Sequence, residues 1–233
     1  MKISVLIPAY NEEQNIEETI EGVRELTGNT GGNEKAKIDI IVIDDGSTDN
    51  TYARASKTGV KTIKLAQNIG KGGALECGLK KAEGDIIVFL DADLKRSSAE
   101  ASKLIAPILA GEADVVIGSF KASPTPGGFG LVKKLTYYGV KLLTGCEMKS
   151  ALSGQRAFRR QVLEDLRPIP GGFGVEVGML IDLLRKGYRV VEVPVEMEHE
   201  ATGRNLKGFL HRGKQFCHIL RVLISKIGRD GIA

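Results

Sequence analysis

The stretch "DIIVFLDADL", Asp85 to Leu94, runs through five apolar residues and then stops at Asp91 and Asp93 with one small residue between them. Two carboxylates at i and i+2 beyond a strand end lie on a turn, where both can face one concave site. Left unpaired they repel, which raises one pKa. A divalent cation removes that repulsion, and carboxylate oxygens completed by water suit Mg²⁺ or Mn²⁺. The bland alternative is a pair of aspartates that solvates a strand end or caps a helix starting near Ser97, and a lone D-x-D does not exclude it.

Two further motifs carry chemistry of the same kind. "DDGSTDNT" is dense in turn formers, with Asp49 or Asn50 as an N-cap for the next helix. The turn does not account for the doubled Asp44 and Asp45 directly after an apolar run. An acid there can accept hydrogen bonds from a ribose hydroxyl or a base N–H. "NIGKGGAL" is a Gly-rich turn into a helix with Lys71 at its mouth. Glycines let backbone N–H groups approach a phosphate, and a helix N-terminus adds a favourable dipole. It matches neither the P-loop nor the G-x-G-x-x-G pattern.

Positioning these motifs requires a sheet. Val- and Ile-rich runs recur as "KISVLI", "KIDIIVI", "VKTIKL", "DIIVFL" and "ADVVIG", and helix-length segments separate them. Ile16, Ile20, Val23 and Leu26 make one apolar stripe at helical spacing, and Leu75, Leu79 and Ala82 make another. Strands apolar on both faces that alternate with helices predict an α/β fold with a mostly parallel sheet covered on both sides. Ligands bind beyond the C-terminal strand edge of such sheets, and that edge is where "PAYNEE", "DDGSTDN" and "DAD" fall. In the second half, the pattern predicts helices over about 132–143 and over "VEVGMLIDLLRKG", a strand over "YRVVEVPVEME", and a long amphipathic helix in the tail.

A length of 233 residues suits one globular domain, read as 1–203, with a basic amphipathic helix at 204–233. A net charge of +4 is too mild to argue for nucleic acid. Three cysteines about 70 residues apart, with no C-x-x-C pair, argue against a disulfide framework or a zinc cluster and for a reducing cytoplasm. No stretch approaches the roughly 18 apolar residues of a membrane span. Between Arg204 and Arg229, however, seven Lys or Arg and no Asp or Glu accompany an apolar face. That combination predicts either a helix packed on the domain or peripheral contact through 205–229 with anionic lipid at the inner face of a membrane.

"SVLIPAYNEEQNI", "VIDDGSTDNT", "NIGKGGAL" and "GDIIVFLDADL", in that order and spacing, resemble the family 2 glycosyltransferases of GT-A fold. The likeness covers about residues 1–120, the nucleotide-sugar half; 121–203 would be the acceptor half. "KGYRVVEVPV" resembles polyprenyl-phosphate sugar transferases, and "GFGVEVGMLID" with a later His and Arg-Asn resembles glucosyl-3-phosphoglycerate synthases. The resemblance implies transfer of a sugar from a nucleotide diphosphate sugar, UDP-glucose for preference, to a phosphate-bearing acceptor, either a polyprenyl phosphate or a soluble phosphorylated molecule.

It also implies roles. Asp91, Asp93 and His199 would hold Mg²⁺ or Mn²⁺ on the donor diphosphate. Pro8, Tyr10, Glu12, Asp44 and Asp45 would hold the nucleoside, and Lys71 a phosphate or the uracil side of the pocket. Glu176, a carboxylate in an apolar run that needs a partner or a function, would face the sugar or steer the acceptor. Gln155 and Arg156, after "LSG", are candidates for contacts to sugar and acceptor phosphate respectively, with a structural hydrogen-bond role as the equal alternative, and Arg204 and Asn205 would contact the acceptor. The "GSR" common after the fifth strand in that family reads "GSFK" here, and Lys121 would be the candidate to replace its Arg. A homo-oligomer is compatible with all of this.

Three rivals fit less of the chain. A receiver-type signalling domain also gathers acids and a Lys at strand ends, but needs only about half the length. A nucleotidyltransferase needs its Gly-rich loop after the first strand, where "PAYNEE" stands. A non-catalytic sugar-binding module has no use for an intact D-x-D.

Overall fold

A computed structural model describes residues 1–26, 36–120, 130–169, 174–197 and 206–227. His199, Arg204, Asn205 and Lys121 lie outside the described residues. In chain order the elements are β1 (Lys2–Ala9), α1 (Ile16–Glu25), β2 (Lys37–Asp44), α2 (Thr51–Lys57), β3 (Lys61–Lys64), α3 (Gly70–Leu79) and β4 (Ile86–Phe89). A 3-10 segment over Lys95–Ala101 leads into α4 (Ser102–Leu109), β5 (Val115–Phe120) and α5 (Leu131–Thr144). Then come β6 (Arg156–Arg159), α6 (Arg160–Leu166), α7 (Val175–Arg185), β7 (Val190–Val195) and α8 (Leu206–Ile227).

The strands form one seven-stranded sheet in the order β3-β2-β1-β4-β6-β5-β7. All pairings are parallel except those of β6, which runs antiparallel to both β4 and β5. The mostly parallel α/β fold expected from the apolar runs is therefore the one observed. The chain leaves β1 for β2 on one side and returns to β4 on the other. That reversal opens a crevice between the C-terminal ends of β1 and β4, the usual place for a ligand in such sheets.

Strand pleating divides the core in two. Ile3, Val5 and Ile7 of β1 and Ile86 and Val88 of β4 meet Ile16, Ile20 and Val23 of α1 and Leu104, Ile105 and Ile108 of α4. Leu6, Ile87 and Phe89 point the other way, toward Leu75 and Leu79 of α3, Val177 and Leu180 of α7, and Ile219 and Leu223 of α8. The same alternation past the end of β4 sends Leu90 and Ala92 to the first layer. Asp91 thus faces the layer that holds the N-termini of α3 and α7.

β6 is the element the sequence pattern misses. "RAFR" is four residues long with an Arg at each end, and neither alternation nor an apolar run marks it. Its consequence for function is large: an antiparallel strand delivers its beginning to the edge where its neighbours end. Arg156 pairs with Phe89 and with Ile117, so Gln155 sits beside the turn that leaves β4.

Gly84 fixes where β4 begins. Its N–H donates to Ser4 Oγ at 2.9 Å, and a Cβ there would run into the backbone nitrogen of Ser4 in β1. Gly84→Ala is expected to cost about 1–3 kcal/mol through overpacking against a strand that cannot yield. Urea unfolding should show a lower midpoint with an unchanged slope; an unchanged midpoint would contradict this reading of the β1–β4 contact.

Candidate active site

Two loops at the crevice are laced together by reciprocal hydrogen bonds. Asn11 adopts a left-handed backbone, φ 56°, which turns "NEE" toward the loop after β2. Its N–H donates to Ser47 Oγ at 2.9 Å, and its side-chain oxygen accepts from the Thr48 N–H at 2.9 Å. The Glu12 N–H donates to Thr51 Oγ1 and the Glu13 N–H to Asp49, while Glu13 accepts from the Asn50 N–H. Burial opposes the charge on Asp49. Hydrogen bonds from the Thr51 hydroxyl and from the N–H groups of Thr51 and Glu13 outweigh it and hold the carboxyl below its ordinary range. Much of "NEE" and "STDNT" is thus architecture that fixes the rim.

On that rim Tyr10 is 46 % exposed, and Pro8 and Glu12 are half-buried. Asp44 and Asp45 behave differently from one another. The Asp45 carboxylate accepts from the N–H groups of Ile69 and Gly70 at 2.8 and 2.9 Å, which ties the Gly-rich mouth of α3 to the end of β2. Asp44 is fully buried; one oxygen accepts from the Ser47 N–H at 3.3 Å, and Oδ2 is buried with no hydrogen-bond partner. Both acids are buried at the end of β2, and both accept hydrogen bonds from main-chain N–H groups of the neighbouring loops.

The centre of the site is an ionic cluster around Asp91. Lys71 Nζ, from the first turn of α3, lies 2.6 Å from Asp91 Oδ1 and 3.1 Å from Glu176 Oε1. Gln155 Nε2 donates to Asp91 Oδ2 at 2.8 Å. Desolvation works against the Lys71 ammonium, but the charges of Asp91 and then Glu176 outweigh it and raise its pKa. Lys71 is therefore a fixed cation, unsuited to serve as a base. Glu176 also lies in the first turn of α7, where a helix dipole favours an anion.

Gly154 makes this cluster possible. A Cβ on Gly154 would collide with Lys71 Nζ and come within 3.0 Å of both Asp91 oxygens. Arg156 holds the loop in place. It is 1 % exposed, and its guanidinium donates to the carbonyls of Ser153, Glu176 and Ala151 at 2.8–2.9 Å. Burial lowers its pKa to about 10, against the pull of Glu176 and Glu192. Glu192 of β7 supports the same loop from below by accepting from the N–H groups of Lys149 and Ser150.

Gln155 and Arg156 both make structural hydrogen bonds, the second of the two roles open to them. Arg156 is buried, and each of its three guanidinium nitrogens donates to a main-chain carbonyl. Gln155 is fully buried, with its amide nitrogen on Asp91 and its oxygen accepting from Ser153 Oγ, so it positions Asp91. Asp93 is half-buried on the turn after β4. That turn is pinned from α1. Thr19 Oγ1 donates to the Ala92 carbonyl at 2.7 Å and accepts from the Lys95 N–H at 2.8 Å, and Lys95 itself is left-handed, φ 52°. Thr19, Gly154 and Glu192 are supports of this cluster that the sequence pattern does not mark.

Beside Asp91 and Gln155 lies a cavity of about 320 Å³, lined on one side by the 148–154 loop and on the other by Lys133, Thr136 and Tyr137 of α5. Lys149 also lines it. The crevice thus has two compartments that meet at Asp91: the rim of the β1 and β2 loops, and a polar chamber with two lysines.

Comparison with known proteins agrees with this geometry. Residues 4–167 match the model of "Glycosyl transferase family 2". A dolichol-phosphate mannosyltransferase of Pyrococcus furiosus is 34% identical over 223 residues, covering 89% of this chain and 60% of the relative. A glucosyl-3-phosphoglycerate synthase of Mycobacterium tuberculosis is 34% identical over 202 residues, covering 77% of this chain and 60% of the relative. The chain therefore spans about 60% of the length of these curated relatives. A crystal structure of the Mycobacterium tuberculosis synthase with Mn²⁺, uridine diphosphate and phosphoglyceric acid superposes with a TM-score of 0.79 at 29% identity, over 97% of this chain and 78% of that one. With its sheet order, its D-x-D turn at the switch point and a family match across most of its length, the chain belongs to glycosyl transferase family 2.

Proposed function

We propose that the protein is a metal-dependent hexosyltransferase that moves a sugar from a nucleotide diphosphate sugar, UDP-glucose for preference, to a phosphate-bearing acceptor such as a polyprenyl phosphate. The observation that carries the proposal is the Lys71–Asp91–Glu176 cluster at the point where the donor rim meets the lysine-lined chamber. A donor diphosphate and an acceptor phosphate both need cations close by, and the sugar must lie between them. A second reading, a soluble phosphorylated acceptor of the phosphoglycerate kind, is favoured by the superposition over 97% of the chain on a synthase bound to phosphoglyceric acid.

The residues fit a divalent cation. Among the described residues no three His, Cys, Asp or Glu converge into a closed metal cluster. What the turn after β4 offers is a pair of hard carboxylates, Asp91 and Asp93, which suits a Mg²⁺ or Mn²⁺ that takes its remaining ligands from a diphosphate and water. Asp91 is held by Lys71 and Gln155, and Asp93 lies two residues further along the same turn, with His199 the proposed third ligand. When bound, the cation stabilises charge that develops on the leaving diphosphate.

The chain's own groups do the rest. Asp45 and the rim from Pro8 to Glu12 hold the nucleoside. Lys71 keeps its proton and presents a permanent charge, which it can share between Asp91 and a donor phosphate oxygen. Lys133 and Lys149 hold the acceptor phosphate in the chamber. An acceptor phosphate oxygen attacks the anomeric carbon, the bond from that carbon to the donor oxygen breaks, and the electron pair leaves with the nucleoside diphosphate. A phosphate nucleophile is already ionised, so no general base is required. Glu176 fixes Lys71 and lies where it can also accept from sugar hydroxyls.

Release of nucleoside diphosphate from a panel of nucleotide sugars tests the proposal, with and without a polyprenyl phosphate or 3-phosphoglycerate. UDP-glucose turnover accelerated by one of these acceptors is expected, and no release from any donor would refute it. Asp93→Asn should reduce turnover by about 100-fold or more, the scale for losing one transition-state electrostatic group, with an unchanged unfolding midpoint. Gly154→Ala should be nearly as damaging. The added methyl separates Lys71 from Asp91 without removing any functional group, so wild-type turnover in that variant would show the cluster to be irrelevant to catalysis.

A further inference from the structure

We infer that the face formed by α5 and α8 is a docking surface for an anionic lipid bilayer. Leu131, Tyr138 and Leu142 of α5 are 59, 65 and 82 % exposed, and Leu220, Ile224 and Ile227 of α8 are 38, 58 and 61 % exposed. These make up six of the ten exposed large apolar side chains among the described residues, and all six line a single apolar groove of about 500 Å³. Such clustering is unlike the scatter of lone apolar residues on an ordinary soluble surface.

The face is built to be stable without a cover. Gly139 lets Leu223 come against the α5 backbone, Ile219 and Leu223 sit in the core, and the buried Lys226 is paired with Asp182 of α7. α8 is thus seated on the domain along one side while the other side keeps its apolar residues outward. It does not have to detach for this face to be used.

Charge selects the occupant. α5 carries Lys133, Lys134 and Lys141, the described part of α8 adds the exposed Arg221 while Lys226 is spent on Asp182, and neither helix has an Asp or Glu. Arg221, Lys133 and Lys134 are exposed, and Lys141 is shared with Glu147 at 2.7 Å. A second copy of the same face would bring like charges together around the apolar strip. A bilayer with anionic headgroups offers acyl chains to the strip and opposite charge to its rim. No described helix is long and apolar enough to cross a membrane, so contact through this face is peripheral. The Lys133 end of the same helix lines the chamber beside Asp91, which places the proposed acceptor pocket next to the docked surface.

The test is sedimentation of the whole chain with vesicles of phosphatidylglycerol and phosphatidylcholine in equal parts, compared with phosphatidylcholine alone. The inference expects pelleting with the anionic vesicles at low salt and release at high salt, because surface charges are screened. The double substitution Leu142→Glu and Ile224→Glu changes two exposed side chains outside the donor site. It should lower vesicle binding by at least about ten-fold while leaving UDP binding unchanged. Failure to pellet, equal binding to neutral vesicles, or full binding by the double variant would overturn the inference. So would a concentration-dependent dimer in light scattering that the same substitutions dissolve, since the groove would then belong to a second copy. None of these outcomes bears on sugar transfer, which the UDP-release assay judges separately.

Discussion

A cation held between two carboxylates at a sheet edge governs the arrangement of everything around it. Lys71 neutralises Asp91 and Glu176, and without it two acids would face one another in a half-buried crevice. The surrounding chain is organised to keep that cation in place. Gly154 leaves room for it, Gln155 takes the other oxygen of Asp91, and Arg156 props the loop between them by three carbonyls. The reversed strand β6 is what delivers all three residues to an edge otherwise made by parallel strands.

On the proposed function, the same cluster would let a site for two anions exist before either arrives. A crevice lined only by acids would repel a diphosphate, and one lined only by bases would bind it without release. The pairing of Lys71 with Asp91 gives a balanced resting state that, on the proposed function, a donor phosphate and a divalent ion would each partly replace. The supports for this balance lie outside the crevice, in Thr19 beneath the D-x-D turn and Glu192 beneath the 149–150 loop.

Much of this was legible in the sequence. Strands buried on both faces carry unbroken Val and Ile runs, so β1, β2, β4 and β5 were plain, and the stripes on α1 and α3 followed helical spacing. The acids at strand ends were visible because carboxylates rarely follow an apolar run without a reason. What could not be read was pairing across the sheet. "RAFR" has the composition of a surface turn, and only its position between β4 and β5 makes its first Arg one of the most buried side chains in the protein. The choice between the two roles of Arg156 is illegible in sequence for that reason: a guanidinium can serve main-chain carbonyls as well as phosphate. Asp45 shows the same ambiguity, since its clamp on Ile69 and Gly70 joins two motifs that the sequence presents as independent.

The central claim is that this balanced cluster and the D-x-D turn together receive a nucleoside diphosphate through a divalent cation. Calorimetric titration of UDP into the whole chain tests it most directly, once with Mn²⁺ and once with excess EDTA. The account predicts saturable binding with Mn²⁺ that weakens by at least about ten-fold, or ~1.4 kcal/mol, when the metal is removed. Equal affinity under both conditions, or no binding of UDP or GDP in either, would contradict it.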